Sequence, residues 1–518
     1  MAMTGEIRHV VVLGGGTAGW LAANHLARRL QSHLPDTVQV SLIESPDIPT
    51  IGVGEGTVPA IRSSLHHLGI SETRLLREAD ATFKQSIKFV GWMKPRQGAA
   101  HSYHHLFDYP DILDSDPTPA WLQGKLPGMH YADAVSVQGR FCDAGLGPKL
   151  MTQPEYAGIS QYAYHIDAAK FGKLLAEHGS NKLGVRHIRA HVTSVKVKTD
   201  GGIDSLITDC AGEIQGDLYV DASGFNALLL SQTMNIPLVD KSHVLLADTA
   251  LAVQVPYSSP AQPIACHTLA TAQHAGWIWD IGLTERRGVG YVYSSSHTSH
   301  EQAEHNLRDY LGPLANDLAM RRIPMQVGYR KKFWHKNCVA IGLSQGFVEP
   351  LEATGLLMFD ITSRMLADQF PAHQAQIDQT AGRFNRQVSY AWERVVDFIK
   401  LHYCISDRDD SEFWLDNRHE QSIPQSLQEN LEYWRYQLPS HYDFTNVSGI
   451  FNLENYLYVL YGMHYPTQIA DRPGFAAPAM AAEQKVQAMQ KRAAQLAAQM
   501  LPHRELINRI RQYGLQRI

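Results

Sequence analysis

The first forty-five residues alternate between short apolar runs and one longer amphipathic stretch. Residues 10–13, VVVL, have the length and composition of a buried strand, and residues 17–30 place alanine and leucine at helical spacing. A second apolar run, VQVSLIE, follows at residues 38–44. This order of strand, helix and strand predicts a β-α-β unit over residues 8–45.

Farther along, the pattern separates a sheet-rich part of the chain from a helix-rich part. Residues 187–224 alternate apolar and polar positions around a turn signal at Asp200-Gly201, which predicts a run of strands. Residues 93–160 lack periodicity and predict a lid or a binding insert. Further strands are predicted at residues 245–255, 276–283 and 288–295, and a strand, loop and helix at 338–370. A helix is predicted with Pro59 in its first turn and Ile61, Leu65 and Leu68 at helical spacing. Further helices are predicted at residues 161–179 and, from about residue 380, through most of the chain, including 480–500.

The turn after the first strand carries Gly14, Gly16 and Gly19 in G-x-G-x-x-G order. In a dinucleotide site, Gly14 permits the tight turn, Gly16 lets a pyrophosphate approach the backbone, and Gly19 lets the helix pack on the strand. Glu44 ends the next strand, where an acid commonly binds a ribose hydroxyl. A glycine turn without a ligand is the alternative, and the glycines do not reveal which dinucleotide would bind.

Composition narrows the classes of function. The 518 residues are 44% hydrophobic and 19% charged, as in a globular protein long enough for two or three domains. A net charge of −5 without a Lys/Arg block disfavours nucleic acid or an anionic membrane as a partner. The five cysteines form no CxxC pair, so we expect no disulfide framework, no metal site and a reducing, cytoplasmic location without a signal peptide.

Two further segments admit two interpretations each. The Gly- and Pro-rich loop SPDIPTIGVGEGTVP, with Gly54 and Gly56, could press its backbone against a flat ring system or could be an ordinary connection. The segment DATFKQSIKFVGW contains Lys84 and Lys88, and most lysines in such a strand are surface charges.

Several segments, taken in order, resemble the flavin-dependent halogenases of the tryptophan halogenase type. One difference is Gly282, which stands where that family has a proline. Each segment alone is a modest signal, but the ordered set is specific. The segments are GGGTAGW at 14–20, IGVGEGTVP at 51–59, FKQSIKFVGW at 83–92, GWIWDIG at 276–282, GYVYSS at 290–295, GLSQGFVEPLEATG at 342–355 and SDRDDSEFWLDNR at 406–418.

This resemblance implies an α/β fold with a two-dinucleotide-binding-type FAD module that is Rossmann-like and monooxygenase-like. Residues 1–92 and 161–380 would form this discontinuous module. Residues 93–160 and 381–518 would form an insert and a mostly helical substrate-binding subdomain. The implied FAD contacts are Gly14, Gly16, Thr17, Ala18, Gly19, Glu44, Gly54, Gly56, Val192, Asp221, Gly224, Leu343 and Leu356.

The resemblance also implies a reaction. FADH2 from a separate NAD(P)H flavin reductase would react with O2 to give a flavin hydroperoxide, which a halide ion, chloride or bromide, would convert to hypohalous acid. Lys84 would meet that acid, either by a hydrogen bond or as a haloamine. Glu352 would polarise the oxidant or accept the proton lost on rearomatisation, with helix capping as the alternative. The N–H groups of Thr354 and Gly355 would bind the halide.

The implied tunnel and substrate residues are aromatic. Trp277 and Trp279 would keep the substrate away from the flavin, and packing of two aromatics at period two on a strand is the bland alternative. His105, Phe107 and Phe451 match positions around an indole ring. The segment HYDFTNVSGIF lacks a recognisable clamp for an amino acid, so we expect indole or an indole derivative rather than free tryptophan.

Two other functions stay open on the sequence. A flavin monooxygenase or reductase on the same fold would reduce its own flavin, but the single G-x-G-x-x-G favours an external reductase. A flavin-binding protein without activity leaves the pair Lys84 and Glu352 unexplained. The resemblance is compatible with a homodimer.

Overall fold

The computed structural model describes residues 5–48, 54–96, 98–444, 450–470 and 479–517. Part of the predicted flavin loop (residues 51–53) and part of the segment before Phe451 (residues 445–449) lie outside these ranges. No helix in the described ranges is long and apolar enough to cross a membrane.

The strands carry both predicted sheet regions. In chain order they are β1 (His9–Leu13), β2 (Gln39–Glu44), β3 (Gly54–Gly56), β4 (Thr82–Lys84), β5 (Ser86–Val90), β6 (Ser102–Leu106), β7 (Ala163–Asp167), β8 (Arg186–Arg189), β9 (Val192–Val197), β10 (Ile203–Thr208), β11 (Glu213–Gln215), β12 (Leu218–Asp221), β13 (Leu238–Asp240), β14 (Thr249–Pro256), β15 (Thr268–Gln273), β16 (Gly276–Gly282), β17 (Arg286–Tyr293), β18 (Arg321–Pro324), β19 (Gly328–Arg330), β20 (Trp334–His335), β21 (Cys338–Ala340) and β22 (Gly346–Phe347).

The helices are concentrated in the second half of the chain. In chain order they are α1 (Thr17–Leu30), α2 (Ala60–Leu68), α3 (Glu72–Glu78), α4 (Thr118–Leu122), α5 (Tyr131–Val135), α6 (Gln138–Asp143), α7 (Ala168–Lys182), α8 (His300–Leu311), α9 (Thr354–Asp368), α10 (Ile377–Cys404), α11 (Glu412–Asp416), α12 (Gln425–Trp434), α13 (Leu453–Gly462), α14 (Ala479–Ala497) and α15 (His503–Tyr513).

A six-stranded sheet in the order β20-β21-β12-β1-β2-β8 confirms the predicted dinucleotide-binding unit. β1 pairs in parallel with both β2 and β12, and the helix α1 connects β1 to β2. Val10, Val11 and Val12 are fully buried, which explains why β1 is apolar throughout instead of alternating. The loop before α9 also reaches α1, since a Cβ at Gly342 would lie 2.5 Å from the Cβ of Ala18.

A second sheet, in the order β18-β14-β17-β16-β15-β5-β6, carries the segments predicted to hold the chemistry. Its β5 lies between β15 and β6, so this segment is an interior strand of the sheet. β4 belongs to a different sheet, in which it pairs with β7. The chain therefore changes sheets at Gln85, and Lys84 lies at the junction.

Two sequence-based expectations need correction. Residues 161–179 begin with the strand β7 before the helix α7, because AYHID pairs with both β3 and β4. Residues 93–160 are less irregular than predicted, since they contain β6 and three short helices. The β6 strand pairs with β5, so the second sheet crosses the domain boundary predicted at residue 92. The domain boundaries themselves stay a prediction.

The helical part packs against the insert through close backbone contact. A Cβ at Gly462, the last residue of α13, would lie 2.3 Å from Cδ2 of Tyr103 on β6. The ring nitrogen Nε2 of His101 lies 2.9 Å from the carbonyl oxygen of Gly462. A glycine at this position therefore lets α13 contact β6 directly.

The glycines of the first turn differ in what surrounds them, and this difference predicts two different mutant phenotypes. A Cβ at Gly19 would lie 1.9 Å from the carbonyl oxygen of Gly14, whereas a Cβ at Gly16 would have no heavy atom within 4 Å. We expect Gly19→Ala to lower the free energy of unfolding by about 1–3 kcal/mol because of overpacking. Gly16→Ala should change it by less than about 0.5 kcal/mol. Thermal unfolding of both variants measures this, and equal destabilisation would contradict the assigned contact.

Candidate active site

Lys84 lies at the end of β4 and is 1% exposed, which excludes the surface interpretation of this lysine. Its Nζ donates a hydrogen bond to the carbonyl oxygen of Thr57 over 3.1 Å and lies 5.2 Å from the ring centre of Phe107. Burial lowers the pKa of Lys84 to about 8, although the negative charge of Glu352 counteracts this shift. The amino group of Lys84 is therefore desolvated, has a lowered pKa and lies next to an aromatic ring.

A glycine on β3, Gly56, leaves room for the side chain of Lys84. A Cβ at Gly56 on β3 would lie 3.1 Å from Lys84 Nζ. The predicted flavin loop thus contacts the predicted catalytic lysine directly, at the point where β3, β7 and β4 form one small sheet.

Glu352, in the loop before α9, is 2% exposed and lies between two histidines. Its Oε1 lies 3.0 Å from Nδ1 of His105 and 2.9 Å from Nε2 of His402. Burial alone would raise the pKa of Glu352, but the two imidazoles outweigh burial and lower it to about 2. The side chain is thus committed to the histidines, and the helix-capping interpretation is wrong.

Each of these histidines also has a second partner. The Nδ1 of His402 lies 2.8 Å from the carbonyl oxygen of Phe398, and Nε2 of His105 lies 3.0 Å from Oδ1 of Asn455. Both nitrogens of each ring are therefore engaged, which holds the two imidazoles in place beside the Glu352 carboxylate.

The first turn of α9 presents hydrogen-bond donors that suit an anion. The helix begins at Thr354 after Ala353, whose φ of 56° is left-handed and which provides no side-chain cap. The hydroxyl of Thr354 is buried and has no hydrogen-bond partner among the described residues. Together with the free N–H groups of Thr354 and Gly355, this hydroxyl fits the halide site that the sequence predicts.

The signature tryptophans lie on β16 in the second sheet. Trp277 and Trp279 are 1% and 7% exposed, and their ring centres are 6.4 Å apart. Trp277 Nε1 donates to Oε2 of Glu349 over 2.7 Å, and the hydroxyl of Tyr403 donates to the same oxygen over 2.5 Å. Burial raises the pKa of Glu349 to about 7. Both rings are packed in the core, as expected for two aromatic residues at alternate positions of a buried strand.

The aromatic residues predicted around the substrate are brought together by Phe398, which the sequence did not single out. Phe398 stacks on Phe451 with ring centres 4.0 Å apart, and it meets His105 edge to face at 5.9 Å. Phe451 has a left-handed φ of 46°, a backbone conformation that is unfavourable for a bulky side chain. Phe107 lies on the lysine side of the same region.

Several of the predicted dinucleotide contacts, among them Gly14, Gly16, Glu44 and Gly224, lie at or just after the ends of β1, β2 and β12. Glu44 packs over Gly15, and its carboxylate pairs with Nε2 of His187 over 2.7 Å. A Cβ at Gly224 would meet no heavy atom within 4 Å, as at Gly16. These open glycines and the uncapped start of α1 fit a pyrophosphate. Val192 begins β9, Leu343 lies in the turn that reaches α1, and Leu356 is in the first turn of α9.

Asp221 differs from the expected direct contact. Its carboxylate is fully buried and accepts hydrogen bonds from the backbone N–H groups of Ser223, Leu229 and Leu230. Because these internal donors occupy both oxygens, Asp221 fixes the loop around Gly224 instead of offering a free acceptor.

Four residues at this site were missed by sequence reasoning: His402, Phe398, Glu349 and Asn455. His402 and Phe398 belong to α10, where their helical spacing resembles that of any core residue. Glu349 lies three residues before Glu352, and its position in the same segment was the one available signal. Lys88, in contrast, is partly exposed and pairs with Asp143 over 2.6 Å, as expected for a structural lysine.

Comparison with known proteins identifies the family. The description "Tryptophan halogenase" belongs to the family profile that matches residues 9–478. Tryptophan 6-halogenase SttH of Streptomyces toxytricini is 36% identical over 451 residues, covering 83% of this chain and 84% of SttH. Tryptophan 7-halogenase RebH of Lentzea aerocolonigenes is 34% identical over 84% of this chain and 83% of RebH.

A solved structure agrees over the full length. The tryptophan halogenase from Shewanella frigidimarina NCIMB 400 superposes with a TM-score of 0.95 at 41% identity, with all of both chains covered. The fold thus agrees with that of this relative over the whole chain, and the monooxygenase alternative is not favoured. This chain belongs to the tryptophan halogenase family and is a flavin-dependent halogenase.

Proposed function

We propose that this enzyme halogenates indole or an indole derivative without an amino-acid zwitterion, with FADH2 from a separate reductase. The observation that carries the proposal is that buried Lys84 lies against the half-buried ring of Phe107, while Glu352, whose charge acts on Lys84, contacts buried His105. When bound, reduced FAD would supply hypohalous acid from O2 and a halide. The protein's own residues must then hold this oxidant, guide it and keep water away.

Lys84 would hold the oxidant. Its ammonium is a compact donor on a rotatable stem, and its Nζ makes one protein hydrogen bond, to Thr57. Phe107 provides an aromatic surface on the same side. We favour hydrogen bonding to hypohalous acid over a haloamine, because Glu352 supports the charged form of Lys84.

The cluster His105–Glu352–His402 would manage the proton. Electrophilic attack on an indole carbon leaves a proton to be removed, and Glu352 is a carboxylate within hydrogen-bond reach of two imidazoles. Glu352 would accept this proton as a positioned general base. The cluster would also keep the carboxylate oriented toward the substrate.

Trp277 and Trp279 would separate the two reagents. A hydrogen bond to Glu349 fixes the ring of Trp277. The ring of Trp279 packs directly on Gly290, where a Cβ would lie 2.1 Å from the indole ring. A rigid double-tryptophan wall would stop the aromatic substrate from reaching the flavin and would favour halogenation over hydroxylation.

The preference against free tryptophan follows from the charges at the site. Glu352 is occupied by His105 and His402, so it is not free to bind an ammonium group. A zwitterion that enters without partners keeps two desolvated charges, which reduces binding strongly. An apolar ring, in contrast, could take the place of Phe451 against Phe398.

Replacement of Lys84 tests the reaction. With FAD, a flavin reductase, NADH, O2, bromide and indole, the wild-type enzyme should give a product with the bromine isotope doublet in mass spectrometry. Lys84→Ala should lower halogenation by at least about a hundredfold, the scale of a positioned acid, while FAD binding is kept. Lys88→Ala is the matched control and should stay active. A halogenating Lys84→Ala variant would refute the role, and a hydroxylated wild-type product would refute the reaction.

The protonation state of Lys84 can be measured without turnover. Because its pKa is lowered to about 8, the ammonium predominates below that pH and is lost above it. Glu352→Gln removes a charge that raises the pKa of Lys84, so the pKa should fall further. The pH dependence of acetic anhydride labelling at Lys84, followed by peptide mass spectrometry, reports this value. An unchanged pKa in Glu352→Gln would contradict the electrostatic coupling.

A substrate series tests the predicted specificity. We expect kcat/KM for indole to exceed that for tryptophan by at least about tenfold, since one unpaired buried charge costs more than 1.4 kcal/mol. Tryptamine and indole-3-propionate separate the ammonium from the carboxylate contribution. A higher kcat/KM for tryptophan than for all three other compounds would overturn this substrate class while leaving the halogenase activity intact.

A further inference from the structure

Cys142 is remote in sequence from Cys266 and His267, but the three side chains lie close together near β5, the strand that follows Lys84. Cys142 is in the last turn of α6, and Cys266 and His267 directly precede β15. The two Sγ atoms and one ring nitrogen of His267 all lie within 4.8 Å of one another. The carbonyl oxygen of Cys266 accepts a hydrogen bond from the backbone N–H of Gln85 over 2.8 Å. The cluster is thus built into the framework of the active site without belonging to it.

The donor atoms of this cluster are buried and incompletely satisfied. Cys142 and Cys266 are 1% and 0% exposed. The Nδ1 atom of His267 is buried and has no hydrogen-bond partner among the described residues. Buried polar atoms without a partner are rare in proteins, and an unoccupied ligand position is one physical reason for them.

The contacts of the three groups suit a metal ion. Ser86 donates from Oγ to the sulfur of Cys142 over 3.4 Å, and Cys266 Sγ lies 3.6 Å from the carbonyl oxygen of Cys142. Two thiols and an imidazole nitrogen without a partner among the described residues are the precursors of a thiolate–imidazole site, because metal binding releases the thiol protons.

We propose that Cys142, Cys266 and His267 bind one zinc ion. Zinc prefers sulfur and nitrogen ligands in a tetrahedron, in which donor atoms lie about 3.5–3.8 Å apart. The observed separations reach these values with small side-chain movements. Magnesium and calcium, which prefer oxygen ligands, do not match this donor set.

The fourth ligand would be water. The His104 ring lies edge to face with that of His267, with centres 5.3 Å apart, but its two nitrogens already contact Ser86 and Asp143. A zinc ion here would tie α6 to the segment before β15. It would therefore stiffen the backbone that Gln85 shares with Lys84.

A disulfide explains the cluster less well. It would join the two sulfurs but would leave Nδ1 of His267 without a partner, whereas a metal ion uses all three donors. The Cys142 and Cys266 residues are 124 positions apart in the chain, so no spacing motif marks them. The sequence-based expectation of no metal site rested on that spacing and is replaced by this proposal.

Metal titration of the full-length enzyme tests the site. The apoprotein, prepared with a chelator and a thiol reductant, should bind about one equivalent of Zn²⁺ in competition with a chromophoric chelator. With Co²⁺ it should show the near-ultraviolet absorption band of thiolate-to-cobalt charge transfer. Cys266→Ser and His267→Ala should each weaken Zn²⁺ binding at least tenfold, and Cys210→Ser, at an exposed position, is the matched control.

The outcomes separate the possibilities. Full-affinity binding by Cys266→Ser and His267→Ala, or Co²⁺ binding without the thiolate band, would place the metal elsewhere and overturn the proposal. Absence of tight Zn²⁺ binding by the wild-type protein would also overturn it, as would a Cys142–Cys266 disulfide detected by peptide mass spectrometry after turnover. If a variant fails to fold, the Co²⁺ spectrum of the wild-type protein still decides the question.

Discussion

The interaction on which the rest of the site depends is the electrostatic coupling between two buried charges, Lys84 and Glu352. Neither could remain ionised in an apolar interior alone, because desolvation penalises the charged form of each. Glu352 stays a carboxylate because His105 and His402 surround it, and its charge in turn supports the ammonium of Lys84. The oxidant would therefore meet a lysine whose positive charge is stabilised by Glu352 and not by water.

This coupling explains why distant parts of the fold converge. Lys84 lies where the chain passes from one sheet to another, Glu352 lies just before α9, and His402 comes from the long helix α10. Packing of α10 against the loop before α9 therefore both stabilises the fold and places His402 next to Glu352. The first residue of α9, Thr354, has a buried hydroxyl without a hydrogen-bond partner in the part of the chain that the structure describes, and it lies two residues after Glu352. A buried lysine, a buried carboxylate and a helix N-terminus are thus brought together in one part of the fold.

The proposed zinc cluster adds a second kind of support. The carbonyl of Cys266 receives the N–H of Gln85, the residue after Lys84, and Cys142 contacts Ser86 on the following strand. The segment that carries the lysine is therefore held on one side by the glycine strand β3 and on the other by the cysteine cluster. Such bracing suits a residue that must meet a reactive oxidant in a fixed place.

The sequence by itself determined the local elements and the family. Gly14 and Gly19 required a tight turn and close packing whatever the remaining fold, and the steric surroundings of both glycines confirm this. The family resemblance carried by the ordered motifs also singled out Lys84, Glu352, Thr354 and the two tryptophans, because each of them lies within one of the matching segments. Only the tertiary structure revealed that Lys84 is buried, that Glu352 binds two histidines instead of capping a helix, and that His402 and Phe398 complete the site. The physical reason is that burial and long-range contacts depend on which elements pack together, and a core histidine in α10 has the same helical spacing whether or not a carboxylate faces it.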